Sequence, residues 1–202
     1  MNQLTLQAPI KVEGKGLHSG KNLTAVFNPA PANFGIKFKR VDLEGQPVID
    51  ALAENVVETT RGTVIGKGDA RVSTIEHAMA ALYSYGIDNC LVEVDGPELP
   101  ILDGSATLYA EKIEEVGLAE LNADKDYYII KEKIQYKDES GATITIYPDE
   151  GFSVEVMVEY NSPVLPNQSA VLDGLSGFRQ EVGSARTFVF VREIEALLQY
   201  GL

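Results

Sequence analysis

The stretch STIEHAMAALYSYGIDNCLVEV, Ser73 to Val94, sets the fold class. Its first part places Ile75, Ala78, Met79, Leu82 and Tyr83 at i, i+3, i+4, i+7 and i+8, the spacing of one helix face, with Gly86 positioned as the stop. Its last part, Cys90 to Val94, reads as a strand. Gly96-Pro97 then turns the chain into a loop, and Ser105 to Val116 reads as a second helix closed by Gly117. Upstream, Leu4 to Val12, Leu23 to Phe27 and Gly35 to Val41 alternate like strands, punctuated by Gly14, Gly16, Gly20, Pro29 and Pro31. An antiparallel sheet carrying two helices is the economical reading of this unit.

The pattern changes at about Asn122 to Asp126. Strand signals resume over Tyr128 to Ile134, Ala142 to Tyr147 and Phe152 to Tyr160, separated by the turn sequences 138–141 and 148–151. A Pro- and Asn-containing loop (161–168), a short helical stretch around Phe178 to Val182, an apolar strand at Thr187 to Val191 and a helical start from Glu193 follow. The expectation is an α+β protein of two similar domains, each a sheet packed on helices, spanning residues 1–122 and 123–202. The second is incomplete, because its sheet lacks a finished pair of covering helices.

Of the 202 residues, 45% are hydrophobic and 23% charged, which excludes a disordered or fibrous chain. A formal charge of −13 makes broad binding to nucleic acid or an anionic membrane unfavourable, so any anionic ligand needs a local site. No apolar run approaches the roughly 20 residues of a membrane span, and Met1 to Thr5 does not open a secretory signal. The expected location is cytoplasmic. The single cysteine, Cys90, lies in an apolar run and reads as a buried thiol. With two histidines, His18 and His77, a His-rich metal site is excluded.

The most informative motif is Ser73-Thr74-Ile75-Glu76-His77. Ser73 and Glu76 fit a capping box at a helix start, which alone accounts for Glu76. His77 lies away from the Ile75/Leu82 face, on a side continuing through Ala80, Ala81 and Ser84, where small residues permit close approach. A carboxylate next to an imidazole also suits metal-assisted water activation, although a catalytic zinc takes about three protein ligands. The loop Gly14 to Gly20 is either a hairpin connection or an anion-binding turn with Lys15 and Lys21, and it lacks the phosphate-loop ending. Thr59 to Thr63 is equally open. Asp103-Gly104-Ser105 reads as a turn and helix cap, and Thr187 as either a plain strand residue or a hydroxyl facing a cleft.

Five segments occur in one order: Gly-Lys-Gly-Leu-His-Ser-Gly (14–20), Pro-Ala-Pro-Ala-Asn (29–33), Ser-Thr-Ile-Glu-His (73–77), Pro-Ile-Leu-Asp-Gly-Ser-Ala (100–106) and Ala-Arg-Thr-Phe (185–188). Together the chain resembles the UDP-3-O-acyl-N-acetylglucosamine deacetylases of lipid A synthesis. The resemblance implies a zinc-dependent amide hydrolase with two similar α+β domains facing each other across the active site. It implies that His77 is a zinc ligand, Glu76 the general base toward zinc-bound water, and Thr187 the stabiliser of the tetrahedral oxyanion. For substrate it implies Phe188 beside the glucosamine, Tyr160 on uracil with Asn161 nearby, and Glu193 toward the nucleoside. Thr60 and Arg61 match a loop at the site entrance, Phe190 and Val191 begin the acyl-chain passage, and His18 lies near substrate without an assigned step.

The chain departs from the family pattern in two ways. The remaining zinc ligands, from a His-Lys-x-x-Asp segment, and a further catalytic histidine are expected downstream of Leu202, so these residues read as the N-terminal two thirds of the enzyme and as an inactive fragment by themselves. Ala142 stands where some members carry a Lys near the diphosphate. Some members are fused to a hydroxyacyl-carrier-protein dehydratase, which would lie outside residues 1–202. The rival reading is a non-catalytic nucleotide-sugar-binding or interaction module of the same fold.

Overall fold

The structure is a computed structural model that describes residues 1–160, 162–191 and 194. In chain order its elements are β1 (Asn2–Leu6), β2 (Ile10–Lys15), β3 (Asn22–Pro29), β4 (Ile36–Arg40), β5 (Val48–Asp50), β6 (Val56–Glu58), β7 (Val64–Lys67), β8 (Ala70–Val72), α1 (Glu76–Ser84), β9 (Ile87–Val94), α2 (Thr107–Val116), β10 (Leu118–Asp124), β11 (Ile134–Lys137), β12 (Thr143–Ile146), β13 (Ser153–Val158), β14 (Gln168–Asp173) and α3 (Phe178–Glu181). It is a mixed α+β protein.

Seven strands form one sheet in the order β10-β1-β9-β3-β2, with β4 also on β9 and β5 on β4. The expected antiparallel sheet is instead mixed, because β9 runs parallel to both β1 and β4. The expected single strand from Leu4 to Val12 is two, β1 and β2, divided around Pro9, whose ring removes a ladder donor. Both helices lay their apolar stripes on this sheet: Ala78, Ala81 and Leu82 of α1, and Tyr109, Ala110 and Ile113 of α2, are buried. They join Phe27, Phe38, Val92 and Val94 in one core, and the Phe27 and Tyr109 rings meet edge to face at 5.7 Å. Cys90 is buried, as its neighbours imply.

Between β5 and α1 lies a three-stranded meander, β6-β7-β8. After β10 come two separate antiparallel hairpins, β11-β12 and β13-β14. Their strands alternate, with Ile134, Tyr136, Ile144 and Ile146 on one face of the first and Val154, Val156, Val158 and Leu172 on one face of the second. Only Leu172 of these is buried. The stretch expected as a strand over Tyr128 to Ile134 enters a strand only at Ile134, and Thr187 to Val191 pairs in no ladder among the described residues. The helical start at Glu193 lies outside the described residues. No described helix is long and apolar enough to cross a membrane.

Candidate functional site

Glu76 opens α1, but no capping box holds it there. The residue before the helix is Ile75, without a side-chain cap, and Ser73 Oγ donates to the carbonyl of Pro97 at 3.2 Å. The positive φ of Thr74, 59°, bends the chain between Ser73 and the helix, so the two partners of the expected box are not in register. The Glu76 carboxylate is free to turn outward, where its Oε2 accepts the backbone N–H of Thr63 at 2.9 Å. His77 Nε2 lies 3.9 Å from Glu76 Oε1. The side of α1 that carries His77 is less open than its small residues imply, because Ala81 is fully buried.

The glycine-rich loop 14–20 closes over the same point. A Cβ on Gly62 would lie 3.4 Å from Glu76 Oε1 and 3.9 Å from His18 Nε2, so the absence of a side chain there leaves the space between the carboxylate and the imidazole open. The exposed residues Thr60 and Arg61 form the turn leading to Gly62, with Arg61 at φ 58°. On its other flank Glu76 borders an apolar groove of about 340 Å³ walled by Leu52, Val56, Ile65, Ile75 and Met79. Behind it, burial pushes the Tyr109 hydroxyl up and the negative charge of Glu76 adds to that shift. The Tyr109 hydroxyl donates to the Pro100 carbonyl at 2.6 Å.

Thr187 is reached from the start of α2. Its N–H donates to the Gly104 carbonyl at 2.8 Å, and Arg186 lies 3.6 Å from Asp103. The Gly183 carbonyl accepts from the Ala106 N–H and the Thr107 hydroxyl, both at 3.1 Å. Asp103 also binds the Ser105 hydroxyl, whose oxygen accepts the Thr107 N–H at 3.1 Å. The residue before α2 is Ala106, without a side-chain cap, so Ser105 is not the N-cap its position implies, although its oxygen satisfies the first amide of the helix. Burial raises the Asp103 carboxyl, but the Ser105 bonds and the Arg186 charge outweigh it and hold the group below the usual range.

Tyr160, Phe188 and Phe190 form a third group, three rings packed edge to face with centroids 5.5 to 5.9 Å apart. Phe188 is exposed. Asn161 and Glu193 lie outside the described residues. The structure therefore brings His18, Thr60, Arg61, Glu76 and His77 into one neighbourhood, sets Thr187 on the 103–107 loop, and gathers Tyr160 and Phe188 with Phe190. Among the described residues no group of three His, Cys, Asp or Glu side chains could hold a metal ion. Sequence reasoning left Thr63, whose amide holds Glu76, within an open segment and missed the buried Glu98.

The family model described as UDP-3-O-acyl N-acetylglycosamine deacetylase matches residues 3–202. The chain is 58% identical over 203 residues to the bifunctional enzyme LpxC/FabZ of Bacteroides thetaiotaomicron, covering all of this chain and 44% of that protein. It is 54% identical over 201 residues to the protein of the same name from Porphyromonas gingivalis, covering 99% of this chain and 44% of that protein. It is 43% identical over 202 residues to the UDP-3-O-acyl-N-acetylglucosamine deacetylase of Anaeromyxobacter dehalogenans, covering all of this chain and 65% of that protein. The chain thus spans less than half the length of the bifunctional relatives and about two thirds of the single-function one.

Proposed function

We propose, because this chain belongs to the UDP-3-O-acyl-N-acetylglucosamine deacetylase family, that it carries part of an active site hydrolysing the acetamide of a UDP-3-O-acyl-N-acetylglucosamine. Water adds to the acetamide carbonyl carbon, the C–N bond breaks, and acetate and the free 2-amine leave. Glu76 removes a proton from the attacking water, and that proton passes to the 2-nitrogen as the C–N bond breaks, so that the nitrogen leaves as the amine. The single observation carrying this role is its carboxylate turned outward from the first turn of α1, held by the Thr63 amide, 3.9 Å from His77 and facing His18 across Gly62. A general base needs that combination of fixed position and access. Thr187, tethered through its own amide to Gly104, offers its hydroxyl to the oxyanion.

The zinc expected for the family is not accommodated by these residues alone. His77 is the one imidazole adjoining Glu76 on α1, and no cluster of three donors exists among the described residues. We assign His77 as one ligand of a site whose other ligands lie elsewhere, and no step here is routed through the metal. For substrate we assign Tyr160 to the uracil and Phe188 to the glucosamine, with Asn161 and Glu193 toward the nucleoside, His18, Thr60 and Arg61 at the entrance, and Phe190 and Val191 toward the acyl chain.

In the same proposal, residues 1–122 form one α+β domain and 123–202 part of a second of similar design, whose open apolar strand faces have the pattern of a sheet that packs on helices. A cytoplasmic location fits it. The relatives named LpxC/FabZ support a parent protein that fuses the deacetylase to a second enzyme. The presence of His77 as the one imidazole beside Glu76 on α1, among the described residues, fits the rival, a non-catalytic nucleotide-sugar-binding module.

Deacetylation by the full-length natural protein and its Glu76→Ala variant decides between them. The expected result is turnover that falls by about 10²- to 10⁴-fold with KM little changed. Turnover equal in both proteins removes Glu76 as base. No turnover and no zinc in the wild type establishes the rival.

A further inference from the structure

Glu98 is a carboxylate with 1% of its surface exposed, in a segment where Ser73 pairs with it as an isolated parallel bridge. Burying a carboxylate is costly unless donors surround it. Here one oxygen accepts the His18 N–H at 3.0 Å and the Thr74 hydroxyl at 3.1 Å, and the other accepts the Ser19 N–H at 2.9 Å. Burial raises this carboxyl, but those bonds outweigh it and hold it below the usual range, so the charged form is the one the fold is built around.

The two segments it grips are the two that build the site. Thr74 is buried at a φ of 59°, a conformation disfavoured for a β-branched residue, and it stands two positions before Glu76. Its bond to Glu98 offsets that strain and fixes the entry of the chain into α1. His18 is held by its backbone amide in the loop that presents its imidazole to Gly62, opposite Glu76. Gly16 sits against the same carboxylate, leaving no room for any side chain.

We propose that Glu98 is a positioning residue that acts through the 16–20 loop to set the His18 imidazole across Gly62 from the Glu76 carboxylate. This rests on the deacetylase reading for its activity consequence. Glutamine at this position keeps the shape but turns an NH₂ group toward one of the backbone donors, so at least one of the bonds is lost.

The test is a cycle of Glu98→Gln, His18→Ala and the double variant in the full-length natural protein, with thermal melts recorded for each. The expected result is a loss of about tenfold in kcat/KM when Glu98 is changed alone and under about twofold when His18 is already Ala. Equal losses in both backgrounds overturn the proposal and leave Glu98 merely structural. If Glu98→Gln does not fold, Glu98→Asp, which keeps the charge with a shorter reach, enters the same cycle under the same criterion. Amide hydrogen exchange gives a readout independent of activity. In the Glu98 variant, exchange at His18 and Ser19 accelerates by about tenfold or more, against no change in β9. If the wild type shows no deacetylation, the functional reading has failed and exchange alone decides. Unchanged protection at His18 overturns the positioning role.

Discussion

Gly16→Ala is the sharpest test of the packing around Glu98. The backbone at Gly16 is outside the left-handed region, so alanine meets no conformational penalty there. Its Cβ would nevertheless lie 2.3 Å from Glu98 Oε2, 2.9 Å from Glu98 Cδ and 2.4 Å from Ser19 Oγ. The serine hydroxyl can rotate away. The carboxylate cannot, because relieving the contact needs a shift of about 1 Å, enough to break its bond to the Ser19 amide. Overpacking costs about 1–3 kcal/mol and a lost bond to a charged group about 1.5–3, against a gain of about 0.4–1 from restricting the unfolded chain. The expected net loss is about 2–4 kcal/mol by equilibrium urea unfolding, read from the midpoint at constant slope. Gly20→Ala is the control: φ is 62° there but nothing lies within 4 Å, so only left-handed strain of about 1–2 kcal/mol applies, partly offset by the same entropy gain. In a Glu98→Ala background the Gly16 penalty should largely vanish. A Gly16→Ala loss no larger than that of Gly20→Ala, or one that persists without the Glu98 side chain, refutes the contact.

Two further outcomes follow from buried groups. Burial pushes the Cys90 thiol up to about 12, so the native protein should not react with iodoacetamide at pH 8, whereas the urea-unfolded chain should react fully; rapid native labelling in a mass assay would contradict the burial. Glu98 is held below its ordinary 4.5, so the stability it contributes is present above that pH and is lost as pH falls from 4.5 through its lower folded value. The unfolding free energies of wild type and Glu98→Gln should therefore converge on acidification, and a gap that stays constant to pH 3 counts against a charged Glu98.

The elements whose signal is local were legible in the sequence. α1 was readable because Ile75, Ala78 and Leu82 recur at helical spacing and are buried, and α2 because Gly117 ends it at a φ of 76°. The mixed character of the sheet was not, since the parallel pairs of β9 with β1 and β4 join segments far apart in sequence, and alternation is the same in either direction. β6, β7 and β8 were missed because each has only three or four residues and Val56 and Val57 are exposed, which leaves too short a pattern to read. β10, Leu118–Asp124, runs through residues taken as the edge of the first unit. At the site, Glu76 and His77 announced themselves as an adjacent carboxylate and imidazole. Glu98 did not, because in Gly96-Pro97-Glu98-Leu99-Pro100 it reads as one more loop acid, and only the fold brings the His18, Ser19 and Thr74 donors to it.

The division of labour between the two parts of the chain follows from burial. β1 to β10 close around one core, and that rigidity is what allows a strained Thr74 and a buried Glu98 to be tolerated beside Glu76. The β11-β12 and β13-β14 hairpins contribute one buried apolar side chain, Leu172, and gain no comparable stiffness from packing. Thr187 nevertheless does not depend on those hairpins for its place: its amide is bound to Gly104, and Gly183 is bound at the first turn of α2. Arg179 adds contacts to Glu111 and Glu114 on the same helix. The segment bearing the oxyanion candidate is thus carried by the frame that carries Glu76, the proposed general base. A hydroxyl and a carboxylate acting on one carbonyl must be fixed relative to each other, and α2 supplies that link, packed on the same core as α1.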